Sequence, residues 1–254
     1  MRLATWNVNS LRVRLGHLLE WLAQAQPDVA CLQETKTEDA NFPLAELRDA
    51  GYHAVYCGQR AYNGVAILAR SPISDVAHGI PGFADDPKRC IAATVDAIRI
   101  VCLYAPNGEA PGTDKYAYKL RWYAALTHWL RNLVAKTPEL AVLGDMNVAP
   151  EDRDVHDPKR WAGKIHVSEP ERAALRAVID TGLKDAFRLF AQPEKSFSWW
   201  DYRLRAFERG WGLRIDLALL GPALAQRCTG CTIDLAPRRR ERPSDHAPVV
   251  VEIS

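Results

Sequence analysis

Apolar and polar residues follow one another along this chain in short blocks that predict strands and helices by turns. Residues 3–9 alternate between the two classes, which is typical of a strand with one covered face. Residues 29–36 and 140–147 begin as continuous apolar runs, which indicate strands covered on both faces. Each of these three blocks ends in polar side chains. A fourth apolar run, residues 249–251, directly follows the polar loop 243–248.

Other blocks carry apolar residues three or four positions apart, the spacing of one helix face. These positions are Leu11, Leu15, Leu18 and Leu22 in one block and Trp122, Leu126, Trp129 and Leu133 in a longer one. We assign these tryptophans to the core rather than to a base-stacking surface. Residues 168–171 read as a capping box that opens a further helix. Residues 91–104 predict two strands joined at Asp96 and Ala97, and no linker interrupts the chain, so we expect one domain over residues 1–254.

Composition narrows the class of protein. The chain has 254 residues, of which 48% are hydrophobic and 25% charged, as in ordinary globular domains. No stretch approaches the roughly 20 apolar residues of a membrane span. A strand begins within three residues of Met1 and the six cysteines show no disulfide pattern, so we expect no signal peptide and a cytoplasmic protein. Net charge is only +2, so a nucleic-acid surface would have to be a local patch.

The polar ends of the four predicted strands collect a distinctive set of side chains. In sheet proteins covered by helices, ligand sites lie beyond strand ends. An acid and an imidazole placed side by side before a strand are poor core material, because burying either group unpaired is costly. The alternative is that Asn and Asp serve only as turn residues. The set comprises Asn7, Glu34, Asp145, Asn147, Asp245 and His246.

The ligand types in this set favour a hard cation. Carboxylate and amide oxygens suit Mg²⁺ or Mn²⁺, which keep bound waters and take few protein ligands. The sequence contains no His-x-His or His-Glu-x-x-His segment. Cys228 and Cys231 form a single Cys-x-x-Cys with no second pair to complete a zinc site. We therefore expect magnesium or manganese and not zinc.

Six segments of the chain form a recognisable series: residues 5–10, 32–36, 63–67, 144–147, 212–216 and 244–246. Together they resemble the exodeoxyribonuclease III family of Mg²⁺-dependent DNA-repair nucleases. They match in order and at family-like spacing, and they span essentially the whole chain. The resemblance implies an α/β fold of DNase I type, a four-layered sandwich in which two mixed β-sheets pack face to face with helices on both outer sides. A faint echo between the segments around Asn7 and Asp145 fits the two-fold pseudo-repeat of that fold.

The same resemblance implies hydrolysis of a phosphodiester with divided roles. Glu34 would be the direct metal ligand, with Asn7 and Asp245 completing the shell directly or through water. Asp145 would orient or deprotonate the attacking water, and Asn147 would donate to a phosphate oxygen. The roles correspond to what this reaction requires: charge on the phosphoryl oxygens must be offset, water must be activated and the leaving oxygen must be stabilised.

Further catalytic roles follow from the resemblance. His246, as imidazolium, would stabilise the pentacoordinate phosphate, while Asp216 would accept from its other ring nitrogen and raise the His pKa. The general base is either Asp145 or the Asp216–His246 pair. Tyr104 and Asn107 occupy the loop that contacts phosphate in the family.

Basic residues supply candidate contacts to the DNA backbone. Lys119 and Arg121 lie on the longer helix, where a solvated face is the alternative. The run 238–240 is more typical of a solvated surface. Other candidates are Lys159, Arg160, Arg203, Arg205 and Arg209.

Substrate choice is expected to depend on an apolar pocket. Trp199, Leu213 and Ile215 match the residues that in the family pack against a flipped-out abasic sugar, whereas Trp200 is assigned a structural role. His166 stands where abasic endonucleases of the family carry Gly or Ser, so its ring would narrow the pocket. The alternative is a loop histidine that faces solvent. Internal abasic cleavage is therefore in doubt, while work on 3′ termini is expected.

The resulting hypothesis is a monomeric 3′→5′ exonuclease and 3′-phosphatase acting on double-stranded DNA with 3′ ends, nicks or abasic sites, without a membrane partner. One alternative is a superfamily phosphoesterase acting on a non-nucleic substrate, such as an inositol phosphate or sphingomyelin. Another is a DNA-binding homologue with a silent site.

Overall fold

Two six-stranded sheets form the centre of this computed structural model, which describes residues 1–84 and 88–254. The strands are β1 (Arg2–Asn7), β2 (Val29–Gln33), β3 (His53–Cys57), β4 (Val65–Ala69), β5 (Ser74–His78), β6 (Cys90–Val95), β7 (Ile98–Tyr104), β8 (Leu140–Asp145), β9 (Lys184–Asp185), β10 (Trp199–Trp200), β11 (Gly212–Leu213), β12 (Asp216–Leu220), β13 (Cys228–Ile233) and β14 (Val249–Ile253). The helices are α1 (Leu11–Ala25), α2 (Leu44–Asp49), α3 (Asp114–Lys136), α4 (Pro158–Trp161), α5 (Glu169–Ile179) and α6 (Pro222–Arg227). Short 3-10 turns span Asp39–Asn41, Asp152–Asp154, Ala186–Leu189, Arg203–Arg205 and Pro237–Arg239.

Both sheets are mixed and share one plan. The first has the order β13-β14-β1-β2-β4-β3 and the second the order β5-β6-β7-β8-β12-β9. In the first, β1 and β2 are parallel and are joined through α1; in the second, β7 and β8 are parallel and are joined through α3. A strand, a helix and a parallel strand are thus repeated, as the pseudo-repeat implied.

The two sheets pack face to face around an apolar core. Its members come from both sheets and include Leu3, Cys31, Ile67, Ile100 and Leu143, all fully buried. Because strands in the interior are covered on both faces, continuous apolar runs such as that of β2 are explained. The cysteines, all free thiols, belong largely to this interior.

Helices cover the outer faces. Helix α1 packs on the first sheet through Leu11, Leu18 and Leu22, and α3 and α5 pack on the second sheet. The buried stripe of α3 runs through Trp122, Leu126 and Leu130, whereas the predicted Trp129 and Leu133 are only half-buried. The four-layered α/β sandwich of DNase I type is confirmed.

Local sequence signals hold at two further places. Asp96 and Ala97 have φ values of 46° and 65°, the left-handed pair that a tight two-residue hairpin needs between β6 and β7. The capping box that opens α5 is formed reciprocally by Ser168 and Glu171. Within the described ranges, no helix combines the length and apolarity required to cross a bilayer.

Candidate active site

The strand ends predicted to carry chemistry meet at one edge of the sandwich. Asn7 ends β1 and Glu34 follows β2 in the first sheet, while Asp145 ends β8 in the second. Asp216 begins β12, paired in register with Asp145. The site is therefore assembled from both sheets.

Asn7 connects the carboxylates of the two sheets. Its Nδ2 donates to Glu34 Oε1 at 2.8 Å and to Asp145 Oδ2 at 2.9 Å. Its Oδ1 accepts from the backbone N–H of Asn9 at 3.0 Å. The amide nitrogen, and not the oxygen, thus faces the carboxylates, so the geometry does not support Asn7 as a direct metal ligand.

A cation would fit beside these carboxylates. Ligand atoms of Glu34, Asp145 and His246 lie within 4.8 Å of one another. Lys36 Nζ lies 2.7 Å from Glu34 Oε2, so positive charge is already stabilised at this carboxylate. Oxygen donors of this kind suit a hard divalent cation that retains several waters. His246 is a poor member of the ligand set because it is protonated, as shown below.

Asp245 lies next to this group but is held by other partners. Its carboxylate accepts from Asn9 Nδ2 at 2.8 Å and from Trp199 Nε1 at 3.0 Å. The cluster of potential ligand atoms found among the described residues does not include it. Direct coordination by Asp245 is therefore not supported, and contact through water remains a prediction.

His246 is buried between two carboxylates. Its Nδ1 lies 2.9 Å from Asp216 Oδ2, and its Nε2 lies 3.8 Å from Asp145 Oδ2. Burial by itself lowers the pKa of His246, but Asp216 and Asp145 outweigh it and raise the pKa to about 10. Ser198 Oγ donates to Asp216 at 2.6 Å and fixes that carboxylate. His246 is thus an imidazolium with Nε2 directed at the reaction site.

Asp145 is fixed from several directions. Burial raises its pKa, while His246 and the hydrogen bond from Asn7 oppose the shift. The backbone N–H of Asn147 donates to its Oδ1 at 2.9 Å. Asn147 Nδ2 donates to the Ala105 carbonyl at 2.9 Å and to Asp145 Oδ2 at 3.4 Å, so the second amide hydrogen, predicted to reach a phosphate oxygen, is directed at Asp145.

Several residues of the site have left-handed backbones. The φ values are 50° at Glu34, 51° at Asn147 and 70° at His166. Such conformations are uncommon outside glycine and concentrate where the surrounding structure holds functional side chains in place. Here they turn polar groups back over the ends of the strands.

Tyr104 lies beside the carboxylates. Burial and the neighbouring charges of Glu34 and Asp145 raise its pKa well above the ordinary value, so the phenol is protonated. The Arg89 guanidinium lies over its ring, 4.8 Å from the centroid. Asn107, in the following loop, holds Oδ1 3.1 Å from the backbone N–H of Glu109.

The predicted contact between Lys119 and the DNA backbone is not supported by the structure. The Lys119 side chain is fully buried and its ammonium forms an ion pair with Glu171. It also donates to the backbone carbonyls of Asn107 at 3.1 Å and Asn147 at 2.8 Å. With its three donors used inside the protein, Lys119 joins two loops of the site instead of contacting the DNA backbone.

His166 is a buried wall residue and not a solvent-facing loop residue. Only 5% of it is exposed, and its ring centroid lies 6.1 Å from that of Trp199. Nδ1 lies 2.7 Å from the Asn147 carbonyl, which can only accept, so Nδ1 carries the proton. Burial, reinforced by Lys119, lowers the pKa of His166 to about 3.

The predicted pocket residues surround this ring. Leu213 and Ile215 form one buried cluster with Val167, and Trp199 packs against it. Trp200 is buried in a separate cluster with Phe197, in keeping with its assigned structural role. Arg238, within the basic run, is also buried, 4.7 Å over the Phe207 ring. Arg240 of the same run lies 3.1 Å from Glu20 Oε2, so the run is not a uniformly solvated surface.

Sequence reasoning missed four contributors. Lys36 and Asn9 lie within motifs that had drawn attention only to their neighbours, and Lys36 Nζ donates to Asn9 Oδ1 at 2.6 Å. Ser198 holds Asp216, and Glu171 accepts from the backbone N–H of His166 at 3.0 Å. Glu171 was visible only as a helix cap, and no local signal pointed to its second role.

Comparison with known proteins agrees with this geometry. The profile described as the Endonuclease/Exonuclease/phosphatase family matches residues 4–246. The chain belongs to this family. Its members hydrolyse phosphate esters, so the predicted family and enzyme class are confirmed.

Individual relatives of this family match over the full chain. The exodeoxyribonuclease III of Haemophilus influenzae is 36% identical over 99% of both chains. The structure of a 3′-5′ exonuclease from Neisseria meningitidis has a TM-score of 0.98 with 44% identity, covering both chains completely. An AP endonuclease from Archaeoglobus fulgidus follows with a TM-score of 0.96, 38% identity, and coverage of 100% of this chain and 99% of its own.

Proposed function

We propose that this chain is a DNA-repair phosphodiesterase of the exodeoxyribonuclease III type that works on 3′ termini of duplex DNA. The observation that carries the proposal is the Asn7-linked pair of carboxylates, Glu34 and Asp145, facing the imidazolium of His246. The names of the full-length relatives support it. So does a Neisseria 3′-phosphatase solved with a product DNA hairpin, which is 44% identical with a TM-score of 0.98 and covers 100% of this chain and 99% of its own.

Glu34 would hold the cation, which is Mg²⁺ with Mn²⁺ as a substitute, and water would complete its shell. The cation would offset charge on the phosphoryl oxygens and the leaving oxygen. Asp245 would act through water, and Asn7 keeps the two carboxylates at a fixed separation. One buried and one part-buried carboxylate with a single ammonium neighbour are a suitable site for such a charge.

Of the two candidate bases, the geometry favours Asp145. His246 is already protonated, so it cannot accept the proton of the attacking water but can stabilise negative charge on the phosphate. Asp145, whose pKa is raised by burial, is suited to take that proton. Water adds to phosphorus and its proton passes to Asp145. The bond to the leaving oxygen breaks, and that oxygen departs as an alkoxide and takes a proton from solvent.

His166 directs the enzyme to termini. Its buried ring lies against Trp199 in the wall where an extruded sugar would have to enter. A 3′-phosphate or a 3′-terminal nucleotide needs less room than an internal abasic sugar. Exonuclease and 3′-phosphatase activities therefore dominate in this proposal. A monomer, a cytoplasmic location and a single domain over residues 1–254 stay predictions.

The test is the product pattern on three labelled duplexes carrying an internal abasic site, a 3′-phosphate or a recessed 3′-hydroxyl. Rapid turnover of the last two in Mg²⁺ and none in a chelator is expected. Full activity in metal-free buffer would contradict the cation requirement. Faster turnover of inositol phosphate than of DNA would favour the non-nucleic alternative, and inertness toward every substrate the silent homologue.

Glu34→Ala tests the assigned ligand. The Mg²⁺ concentration that gives half-maximal rate should rise at least tenfold and the rate should fall, since the carboxylate supplies both affinity and position. Asp49→Ala, which removes an exposed carboxylate at the end of α2, is the matched control. An unchanged metal titration in Glu34→Ala would remove Glu34 from the ligand set.

A further inference from the structure

Two adjoining clefts lie beside the proposed active site and share one tryptophan. They have volumes of about 870 and about 640 Å³, and both are lined by His156, Arg160 and Trp211. The smaller cleft is also lined by Trp199, whose ring faces His166. The smaller cleft therefore adjoins the His166 side of the proposed active site, which we call the catalytic groove.

The shared tryptophan belongs to a flat platform of rings and cations. The His156 ring is inclined only 17° to Trp211, with centroids 6.1 Å apart. The guanidinium of Arg209 lies 4.6 Å from the Trp211 centroid and that of Arg160 lies 5.9 Å away. Nδ1 of His156 lies 3.2 Å from the Gly212 carbonyl, which fixes the ring, and burial lowers its pKa. The platform combines π-faces with positive charge.

The clefts concentrate charge that the rest of the chain lacks. Seven Lys or Arg side chains and three carboxylates line them, although the whole protein has a net charge of only +2. The three carboxylates have other partners: Asp201 pairs with Arg203, Asp152 with Arg172, and Asp157 caps α4. Among the described residues, the remaining six cations form no ion pair; they are Lys159, Arg160, Lys164, Lys195, Arg209 and Arg239.

Unpaired cations around half-buried aromatic rings are the features that bind single-stranded nucleic acid. Phosphates follow the cations, and unstacked bases lie on the rings, whatever the sequence. A duplex cannot use the rings because its bases are already stacked. An acidic peptide would use the charges but not the platform.

We propose that the Trp211 platform binds an unpaired DNA strand, namely the single-stranded 5′ overhang that faces a recessed 3′ end. This inference rests on the proposed function, because the recessed 3′ terminus must occupy the catalytic groove. The overhang then leaves the groove past Trp199, and one base stacks on Trp211. Arg209, which covers the ring and pairs with no carboxylate in residues 1–84 and 88–254, turns to a phosphate of the same strand.

The test compares affinities of the chain in chelator for three DNAs, measured by fluorescence anisotropy. The first is blunt, the second carries a 5′ overhang, and the third carries the same overhang built from abasic spacers. We expect the normal overhang to tighten binding roughly fivefold to a hundredfold, the range for stacking one base. The spacer overhang should keep only the salt-dependent part of this gain.

Variants locate the effect. Trp211→Ala should remove the gain from a normal overhang, whereas Trp211→Phe should retain part of it and guards against loss of folding. Arg209→Gln should weaken the overhang complex and lower its salt dependence, while Arg131→Gln on the exposed side of α3 should change neither. Blunt-end turnover in Mg²⁺ should be unchanged in both Trp211 variants and in Arg131→Gln.

The outcomes separate the two proposals. If wild type fails to turn over blunt 3′-phosphate duplex, the proposed function fails. If it turns over that duplex but gains nothing from the overhang, or if Trp211→Ala keeps the full gain, the platform proposal is wrong. Equal or tighter binding of a 3′ overhang would overturn the assigned strand.

Discussion

Two buried histidines lie at the same site, and they differ in charge. His246 lies between Asp216 and Asp145, which raise its pKa to about 10. His166 lies near Lys119, and burial with that charge lowers its pKa to about 3. One is an imidazolium throughout the neutral range, and the other is a neutral ring.

The difference shows that burial alone does not decide the state of a histidine. Burial favours the neutral form of both rings, and two carboxylates reverse this at His246 only. As a consequence His246 can stabilise charge that develops on a phosphate, whereas His166 can only occupy space and accept through Nε2. Two residues of one type thus have separate roles: His246 stabilises charge in the reaction, and His166 limits the space in the pocket.

Removing the charged histidine or its carboxylate neighbour should have the largest effect on the reaction rate. His246→Ala and Asp145→Ala should each lower the rate of 3′-phosphate removal by about 10²-fold or more, because each removes a group aligned with the reacting phosphate. Circular dichroism and DNA affinity should remain near normal. Retention of more than roughly a tenth of the rate would show that the assigned role is wrong.

Removing the ammonium of Lys119, which lies near His166, should lower the stability of the fold. Lys119→Met leaves Glu171 buried without its ion-pair partner, so the free energy of unfolding should fall by roughly 3–5 kcal/mol. Lys115→Met, at an exposed position of the same helix, is the control and should change it little. A loss below about 1 kcal/mol in Lys119→Met would mean that the pair contributes no more than an exposed one.

Trimming the neutral ring should change specificity. His166→Gly should raise internal abasic cleavage about tenfold or more and leave 3′-phosphate removal nearly unchanged, since steric exclusion can exceed a methylene-sized mismatch. Glycine also accepts the φ of 70° at this position. His166→Asn, a smaller side chain that tolerates this backbone, should give an intermediate rate. If wild type already cuts internal abasic sites as fast as it removes 3′-phosphates, His166 does not restrict the pocket.

The smallest effect is the pH dependence of stability. The folded pKa of His166 is below the unfolded value of about 6.5, so protonation of the unfolded chain costs stability as pH falls below that value. His166→Gln should therefore lose roughly 1–2 kcal/mol less than wild type between pH 7.5 and pH 5 in denaturant titrations.

His246 gives the matching control with the opposite sign. Its folded pKa is above the unfolded value, so its contribution is complete below pH about 6.5 and is lost as pH rises toward 10. His246→Gln should thus flatten the alkaline side of the stability profile and leave the acid side as steep as in wild type. Parallel profiles for the two variants would contradict the assigned charge states.

Much of the site could be predicted because its residues stand at strand ends. Asn7, Glu34 and Asp145 each stand at the end of an apolar run. The parallel pair of β1 and β2 brings the first two together, and the packing of the two sheets brings Asp145 to them. The burial of Lys119 was also within reach, since it lies three residues before Trp122 on the stripe that α3 buries. Its ion pair with Glu171, 52 residues away, had no local signal.

The orientation of individual side chains in the site could not be predicted from the sequence. Which end of the Asn7 amide faces the site depends on two carboxylates from different sheets and on the Asn9 backbone. The direction in which the His166 side chain points depends on a loop whose backbone is left-handed at that residue. Both are set by contacts between segments far apart in the chain.

The hydrogen bonds of Asn7 cross the boundary between the two sheets, and this has a consequence for how the protein loses activity. Each sheet supplies one carboxylate, so a slight separation of the sheets disables the site while most backbone hydrogen bonds remain. Inactivation on heating should precede the loss of secondary structure. A cation bound at this boundary would oppose that separation by mass action and should slow amide hydrogen exchange in β1 and β8 together.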